Sequence, residues 1–201
     1  MNRKAVVALA ALVIVSAAGP ALAQSASSAG GGVVSVQGGG FTAGANLNEA
    51  GTAGFKTGFS AGIAAGYQIN SNLAVMGTFT FARSETRGAA LPGMIAAGTK
   101  TNRYLYGAEL QLKAPLGGGV SPYLIAGGGA VTFQTDDPGM RHTFTKPAGK
   151  IGAGLSIGLP GSNVSAFVEG AGWVYQFDRF GFDKTQFDIT WSAGLSYRFG
   201  R

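Results

Sequence analysis

The chain has 201 residues, no cysteine, 35 glycines and a formal net charge of +6. Without thiols it has no disulfide framework and no thiolate chemistry. The charge is mild and no basic stripe interleaved with aromatics accompanies it, which argues against nucleic acid as a partner; the aromatic and β-branched runs argue equally against a disordered glycine-rich chain.

The N-terminus reads M-N-R-K, followed by an apolar run from Ala5 to Ala18, Gly19-Pro20 and Ala21-Leu22-Ala23. A positive start, a short apolar stretch and an A-x-A site describe a secretory signal peptide over residues 1–23, with Ala21 and Ala23 supplying the small residues for cleavage. The run is too short for a transmembrane helix, which needs about 20 apolar residues. Losing Arg3 and Lys4 with the signal would leave a net charge of +4. Residues 24–32 (Q-S-A-S-S-A-G-G-G) read as a flexible, periplasmic lead-in, and residues 33–201 as one domain.

From Val33 the chain alternates as strands do, since successive side chains point to opposite faces. The first strand, Val33 to Phe41, sets Val34 and Val36 against Ser35 and Gln37. Its glycine triplet, Gly38 to Gly40, predicts a bulge before Phe41. The second, Phe55 to Gln68, puts Phe55, Phe59, Ala61, Ile63, Ala65 and Tyr67 opposite Lys56, Gly58, Ser60, Gly62, Ala64 and Gly66. The third, Leu73 to Arg83, sets Leu73, Val75, Phe79 and Phe81 against Thr78 and Thr80. In the fourth, Tyr104, Tyr106, Ala108, Leu110 and Leu112 oppose Arg103, Gly107, Glu109, Gln111 and Lys113. The fifth, Ser121 to Gln134, places Tyr123, Ile125, Val131 and Phe133 on one face and small residues on the other. The sixth sets Ile151, Ala153, Leu155, Ile157 and Leu159 against Lys150, Gly152, Gly154, Ser156 and Gly158. The seventh, Val164 to Phe177, has an open register: Phe167, Trp173 and Tyr175 share parity with Glu169, and a bulge near Gly170 to Gly172 would reconcile them with an apolar outer face. The eighth, Asp188 to Phe199, alternates without a break. Ile189, Trp191, Ala193, Leu195, Tyr197 and Phe199 lie on one face, and Asp188, Thr190, Ser192, Gly194, Ser196 and Arg198 on the other.

Short connections at Gln68 to Leu73, Pro115 to Val120 and Pro160 to Val164 carry turn residues. Longer ones fall at Thr42 to Gly54, Ser84 to Thr101, Thr135 to Pro147 and Asp178 to Thr185. Strict alternation of short and long connections is the asymmetry of an outer-membrane barrel, with short periplasmic turns and long external loops. Both termini then fall in the periplasm. Aromatics collect towards both ends of the strands: Phe79, Phe81, Tyr104, Tyr106, Phe133, Trp173, Tyr175 and Phe187 near the long loops, and Tyr67, Tyr123, Tyr197 and Phe199 near the short turns. Two aromatic belts are what a barrel crossing both interfaces requires. A soluble lipocalin-like barrel would turn its large apolar groups inward instead. The expected fold is therefore all-β, an eight-stranded antiparallel up-and-down transmembrane barrel, with small residues filling a narrow lumen.

The phrase G-I-A-A-G-Y-Q-I-N at Gly62 to Asn70, the A-L-A site and the ending W-S-A-G-L-S-Y-R-F resemble the small eight-stranded outer-membrane barrels of Gram-negative bacteria. These include the transmembrane domain of outer-membrane protein A and the opacity-type porin family. The resemblance implies residence in the outer membrane, among its lipid and lipopolysaccharide. It implies insertion by the barrel-insertion machinery, which would read Trp191, Leu195, Tyr197 and Phe199; Gly200 and Arg201 follow the terminal aromatic, a departure from the family ending. It also implies a structural or surface-interaction role, the loops meeting an extracellular ligand or a host surface. A narrow channel for ions or small solutes is the alternative, and an enzyme modifying lipid A a weaker one.

No enzymatic site stands out. G-F-S-A-G at Gly58 to Gly62 matches a nucleophile pattern, but that motif needs a strand-to-helix elbow with a histidine and an acid beside it. Ser60 is mid-strand, and the only histidine, His142, falls in a predicted loop with Asp136, Asp137 and Arg141. G-A-G-L-S-I-G at Gly152 to Gly158 lacks the helix a nucleotide loop requires. No cofactor or metal is expected. The charges on the inward face are more informative: by parity Lys56, Arg103, Glu109, Lys113, Lys150, Glu169, Asp188 and Arg198 point into the lumen. Buried charges must be paired, so these should form a network that closes the barrel, with Glu109, Lys113, Arg198 and Lys56 within mutual reach.

Overall fold

The computed structural model describes residues 30–44, 54–87, 98–137, 140–177 and 184–199. Residues 1–29, with the signal peptide, its cleavage site and most of the lead-in, lie outside this set, as do the central parts of the four long connections and residues 200 and 201. The strands are β1 (Gly31–Ala43), β2 (Gly54–Phe55), β3 (Gly58–Gln68), β4 (Leu73–Arg87), β5 (Lys100–Lys113), β6 (Val120–Asp137), β7 (Met140–Gly158), β8 (Val164–Phe177) and β9 (Lys184–Phe199). Each pairs antiparallel with its neighbours, β9 returns to β1, and β4 joins β5, so the sheet closes on itself. Closure leaves no edge, the condition a sheet must meet to cross lipid. β2 and β3 are halves of one strand along β4, which makes the barrel eight-stranded.

The break between β2 and β3 is a bulge. Phe55 pairs with Thr86 and Phe59 with Arg83, so three residues, 56–58, face two, Ser84 and Glu85. The extra residue reverses the alternation upstream of it. Phe55, expected outside, turns in and packs against the core, while Lys56, expected in the lumen, turns out. The glycine triplet of β1, where a bulge was expected, has none. Pairing runs unbroken from Gly32↔Phe199 to Ala43↔Asp188, and Phe41 keeps the inward parity of Val33 and is fully buried. These glycines serve the partner strand: a Cβ on Gly40 would collide with the Trp191 ring, which lies across it on the outer face.

β8 also runs without a bulge, from Ala148↔Tyr175 to Gly158↔Ser165. The carboxylate of Glu169 cannot face lipid, and unbroken alternation carries Trp173 and Tyr175 inward with it, where both are buried. β6 shows the same inversion. Directly paired residues of adjacent strands share a face; Phe133 pairs with Arg103 and Tyr123 with Lys113, so both rings enter the lumen. The expected aromatic belts therefore lose Phe133, Trp173, Tyr175 and Tyr123. They keep Phe79, Tyr106 and Phe187 at one end and Tyr67, Tyr197 and Phe199 at the other, all exposed on the outer surface. Between them Ile63, Leu110, Leu155, Val168 and Leu195 form the apolar band.

The short turns fall where the sequence places them. Asn70 Oδ1 accepts from the amides of Asn72 and Leu73, both at 2.9 Å, and so closes the β3–β4 turn. Gly117, Gly118 and Gly119 all have positive φ in the β5–β6 turn, a conformation only glycine adopts without strain. At the opposite end the sheet extends further than expected. β4 reaches Arg87 and β5 starts at Lys100. The expected loop Thr135 to Pro147 is mostly ladder, its pairing continuing to Asp137↔Met140, with His142 on β7 opposite Thr135.

Candidate functional site in the lumen

Three layers of polar and aromatic groups fill the barrel interior. At the long-connection end, Phe41, Leu105, Val131, Phe133, Trp173 and Tyr175 form a buried core with Phe55 and Phe144 against it. Arg103, on β5, is fully buried in this core. Its guanidinium carbon lies 4.0 Å from the Phe55 ring centroid, 4.6 Å from Phe41 and 5.3 Å from Phe133. A planar, weakly hydrated cation suits an aromatic cage as an ammonium does not. Arg103 donates to Ser84 Oγ at 2.7 Å, and its Nε stands 3.7 Å from Asp188 Oδ2. The same carboxylate oxygen accepts from the Tyr175 hydroxyl at 2.6 Å.

The middle layer centres on Lys150 of β7. Its Nζ donates to Glu109 Oε2 at 2.5 Å and to Glu169 Oε1 at 3.5 Å, and it lies 5.4 Å from the Trp173 ring. Gln111 Nε2 holds the other oxygen of Glu109 at 2.9 Å, and the Tyr123 hydroxyl donates to Glu169 at 3.1 Å. Glycine makes room for this layer: a Cβ on Gly154 would stand 2.5 Å from the Tyr123 hydroxyl oxygen. The free space bordered by these groups is about 40 Å³.

At the short-turn end Lys113 Nζ and Arg198 Nη2 both donate to Gln68 Oε1, at 3.2 and 3.0 Å. Gln68 Nε2 is tied to the turn carbonyl of Asn70 at 2.8 Å, which fixes the amide with its oxygen towards the cations.

Of the eight inward charges expected from alternation, Arg103, Glu109, Lys113, Lys150, Glu169, Asp188 and Arg198 sit in these layers. Lys56 does not; it pairs with Glu85 at 3.2 Å on the exposed outer side. Glu109 meets Lys150 rather than Lys113, because Lys113 extends towards the turn end and Gln111 takes the position between them. The aromatic half of the lumen was missed from sequence. Its signal was present in the shared parity of Trp173, Tyr175 and Glu169. Ser60 is buried and donates to the Gly40 carbonyl at 3.2 Å, a structural bond within the sheet. Trp191, Leu195, Tyr197 and Phe199 are all exposed on the outer face of β9.

A closed antiparallel barrel with an apolar outer band, aromatics at both rims and a charged, filled interior defines a transmembrane β-barrel. The chain belongs to the outer membrane protein beta-barrel domain family, whose model matches residues 7–199; it is an outer-membrane protein. No curated protein sequence matches it. Among solved structures it is similar to Neisserial surface protein A, at 21% identity and a TM-score of 0.63, over 84% of this chain and 97% of that one. It is also similar to Ail, the attachment invasion locus protein of Yersinia pestis, solved with the heparin analogue sucrose octasulfate. That match has 16% identity and a TM-score of 0.53, over 86% of this chain and all, 100%, of that one. A major outer membrane protein of Thermus thermophilus matches at 14% identity and a TM-score of 0.51, over 86% and 100%. At these identities the likeness is one of fold.

Proposed function

We propose that this barrel is a closed anchor that presents its long connections outside the cell for surface interaction, with both termini in the periplasm. The observation that carries this reading is the filled lumen. Arg103 caged by three rings and Lys150 clamped between two carboxylates occupy successive levels of the same narrow interior. Eight-stranded barrels are just filled by their own side chains. The orientation rests on the turns: the three short connections gather at one end, and short turns are periplasmic in this class. A non-enzymatic role is supported by Ser60, whose hydroxyl is spent on a backbone carbonyl. Ligand specificity would then reside in the external connections. The exposed aromatic ending of β9 supports recognition by the insertion machinery.

Two measurements test this. Refolded protein in planar bilayers should give no steady conductance; large, stable openings would replace the anchor with the channel reading. Because the chain lacks cysteine, single cysteines report orientation cleanly. Lys100→Cys, at the long-connection end, should react with an impermeant maleimide on intact cells. Ser162→Cys, in a short turn, should react only after the outer membrane is opened. The reverse pattern would invert the topology.

A further inference from the structure

The short-turn end of the lumen holds a chamber that the closed-anchor reading does not use. Its volume is about 420 Å³, within the range of roughly 300–1,000 Å³ typical of small-molecule sites. Lys113 and Arg198 project into it and share one neutral oxygen, Gln68 Oε1. Two cations converging on one amide oxygen repel each other, and the amide supplies no compensating charge. The lumen carboxylates that could do so are engaged elsewhere: Glu109 and Glu169 hold Lys150, and Asp188 holds Arg103 and Tyr175. No acidic residue borders the chamber among the described residues, and its remaining wall carries hydroxyls, including Ser121, Ser156 and Ser196.

We infer that this chamber is a binding site for a small phosphate-bearing anion. The two uncommitted positive charges match the roughly −1.5 to −2 charge of a phosphate group near neutral pH. A guanidinium offers the forked donor geometry that phosphate oxygens accept, and an ammonium adds a compact point charge. The surrounding serines supply hydroxyl donors for the remaining oxygens. The chamber lies among the short turns, at the mouth of the barrel, so a solute reaches it without passing the Lys150 layer. The inference does not depend on which side of the membrane that mouth faces.

The test is calorimetric titration of the refolded full chain, in a zwitterionic detergent, with inorganic phosphate. Saturable binding at one site per chain is expected. Lys113→Gln and Arg198→Gln should each weaken it about tenfold or more, the loss of a charge-assisted hydrogen bond. Arg198 is exposed at the rim, so Arg198→Gln keeps the fold and the test stands even where Lys113→Gln does not refold. Lys56→Gln, at the opposite end, should leave affinity unchanged. Competition by glycerol 3-phosphate would identify a phosphate ester as the natural class, and its failure would identify free phosphate. Absence of saturable binding, equal binding by Arg198→Gln, or equal competition by succinate would overturn the assignment.

Discussion

Replacing Lys150 with methionine tests the lumen network most directly. The Lys150 side chain is 4% exposed, and its ammonium sits between the side chains of Glu109, 1% exposed, and Glu169, 7% exposed. At an effective dielectric near 20, unit charges at these separations attract by roughly 5–7 kcal/mol, most of it offset by the desolvation of all three groups. Lys150→Met fills the same volume but strands two buried carboxylates, so a loss of about 3–5 kcal/mol is expected, the measured range for breaking a buried pair. Glu169→Gln neutralises the more distant carboxylate, keeps one amide oxygen to accept from Tyr123 or Lys150, and leaves Glu109 in place; a loss of about 1–2 kcal/mol follows. The triple replacement Glu109→Gln, Lys150→Met, Glu169→Gln should recover most of the stability, because no charge is then left unpaired. The assay is equilibrium urea unfolding of refolded protein in lipid vesicles. Trp173, 5.4 Å from the ammonium, is the reporter, with Trp191 on the outer face replaced by phenylalanine. If Lys150→Met unfolds within about 0.5 kcal/mol of the wild type, the level of an inconsequential surface change, the network does not hold the barrel closed.

Gly154→Val should cost about 1–3 kcal/mol, the usual penalty of overpacking, because the added carbons displace the Tyr123 ring from Glu169; urea unfolding with and without Tyr123→Phe checks whether the two effects couple. Deleting Thr57 removes the extra residue between Phe55↔Thr86 and Phe59↔Arg83, so Phe55 should leave the Arg103 cage and Lys56 should turn inward. Quenching of a fluorophore on Lys56→Cys by lumen-soluble and lipid-soluble quenchers reads the change, and an unaltered pattern would show that the bulge does not set the parity. Phe199→Ala with Tyr197→Ala should slow assembly by the insertion machinery while leaving the unfolding free energy of the assembled barrel within about 1 kcal/mol, as expected for exposed outer-face side chains that hold no lumen hydrogen bond. An equal slowing of spontaneous refolding in detergent would remove the recognition role.

Strand existence and the short turns were legible in the chain because both are local. Alternation over Ile151 to Leu159 and over Ile189 to Phe199 needs only the period of a strand, and Asn70-Ser71-Asn72 and Gly117-Gly118-Gly119 carry their turn geometry in their own residue types. The class of outer-membrane barrel followed from the same local alternation, repeated along the chain. What the tertiary structure decided is register, which pairs residues far apart along the chain. Only the pairing of β6 with β5 sends Tyr123 and Phe133 inward, and only unbroken pairing of β8 with β7 and β9 carries Trp173 and Tyr175 in with Glu169. A single extra residue at Lys56–Thr57, invisible in composition, exchanged a lysine for a phenylalanine in the lumen. The partners of the inward charges lie 41 positions apart for Lys150 and Glu109 and 130 for Arg198 and Gln68. Parity places a side chain on a face of its own strand, and closure of the barrel selects which side chains it meets across the lumen.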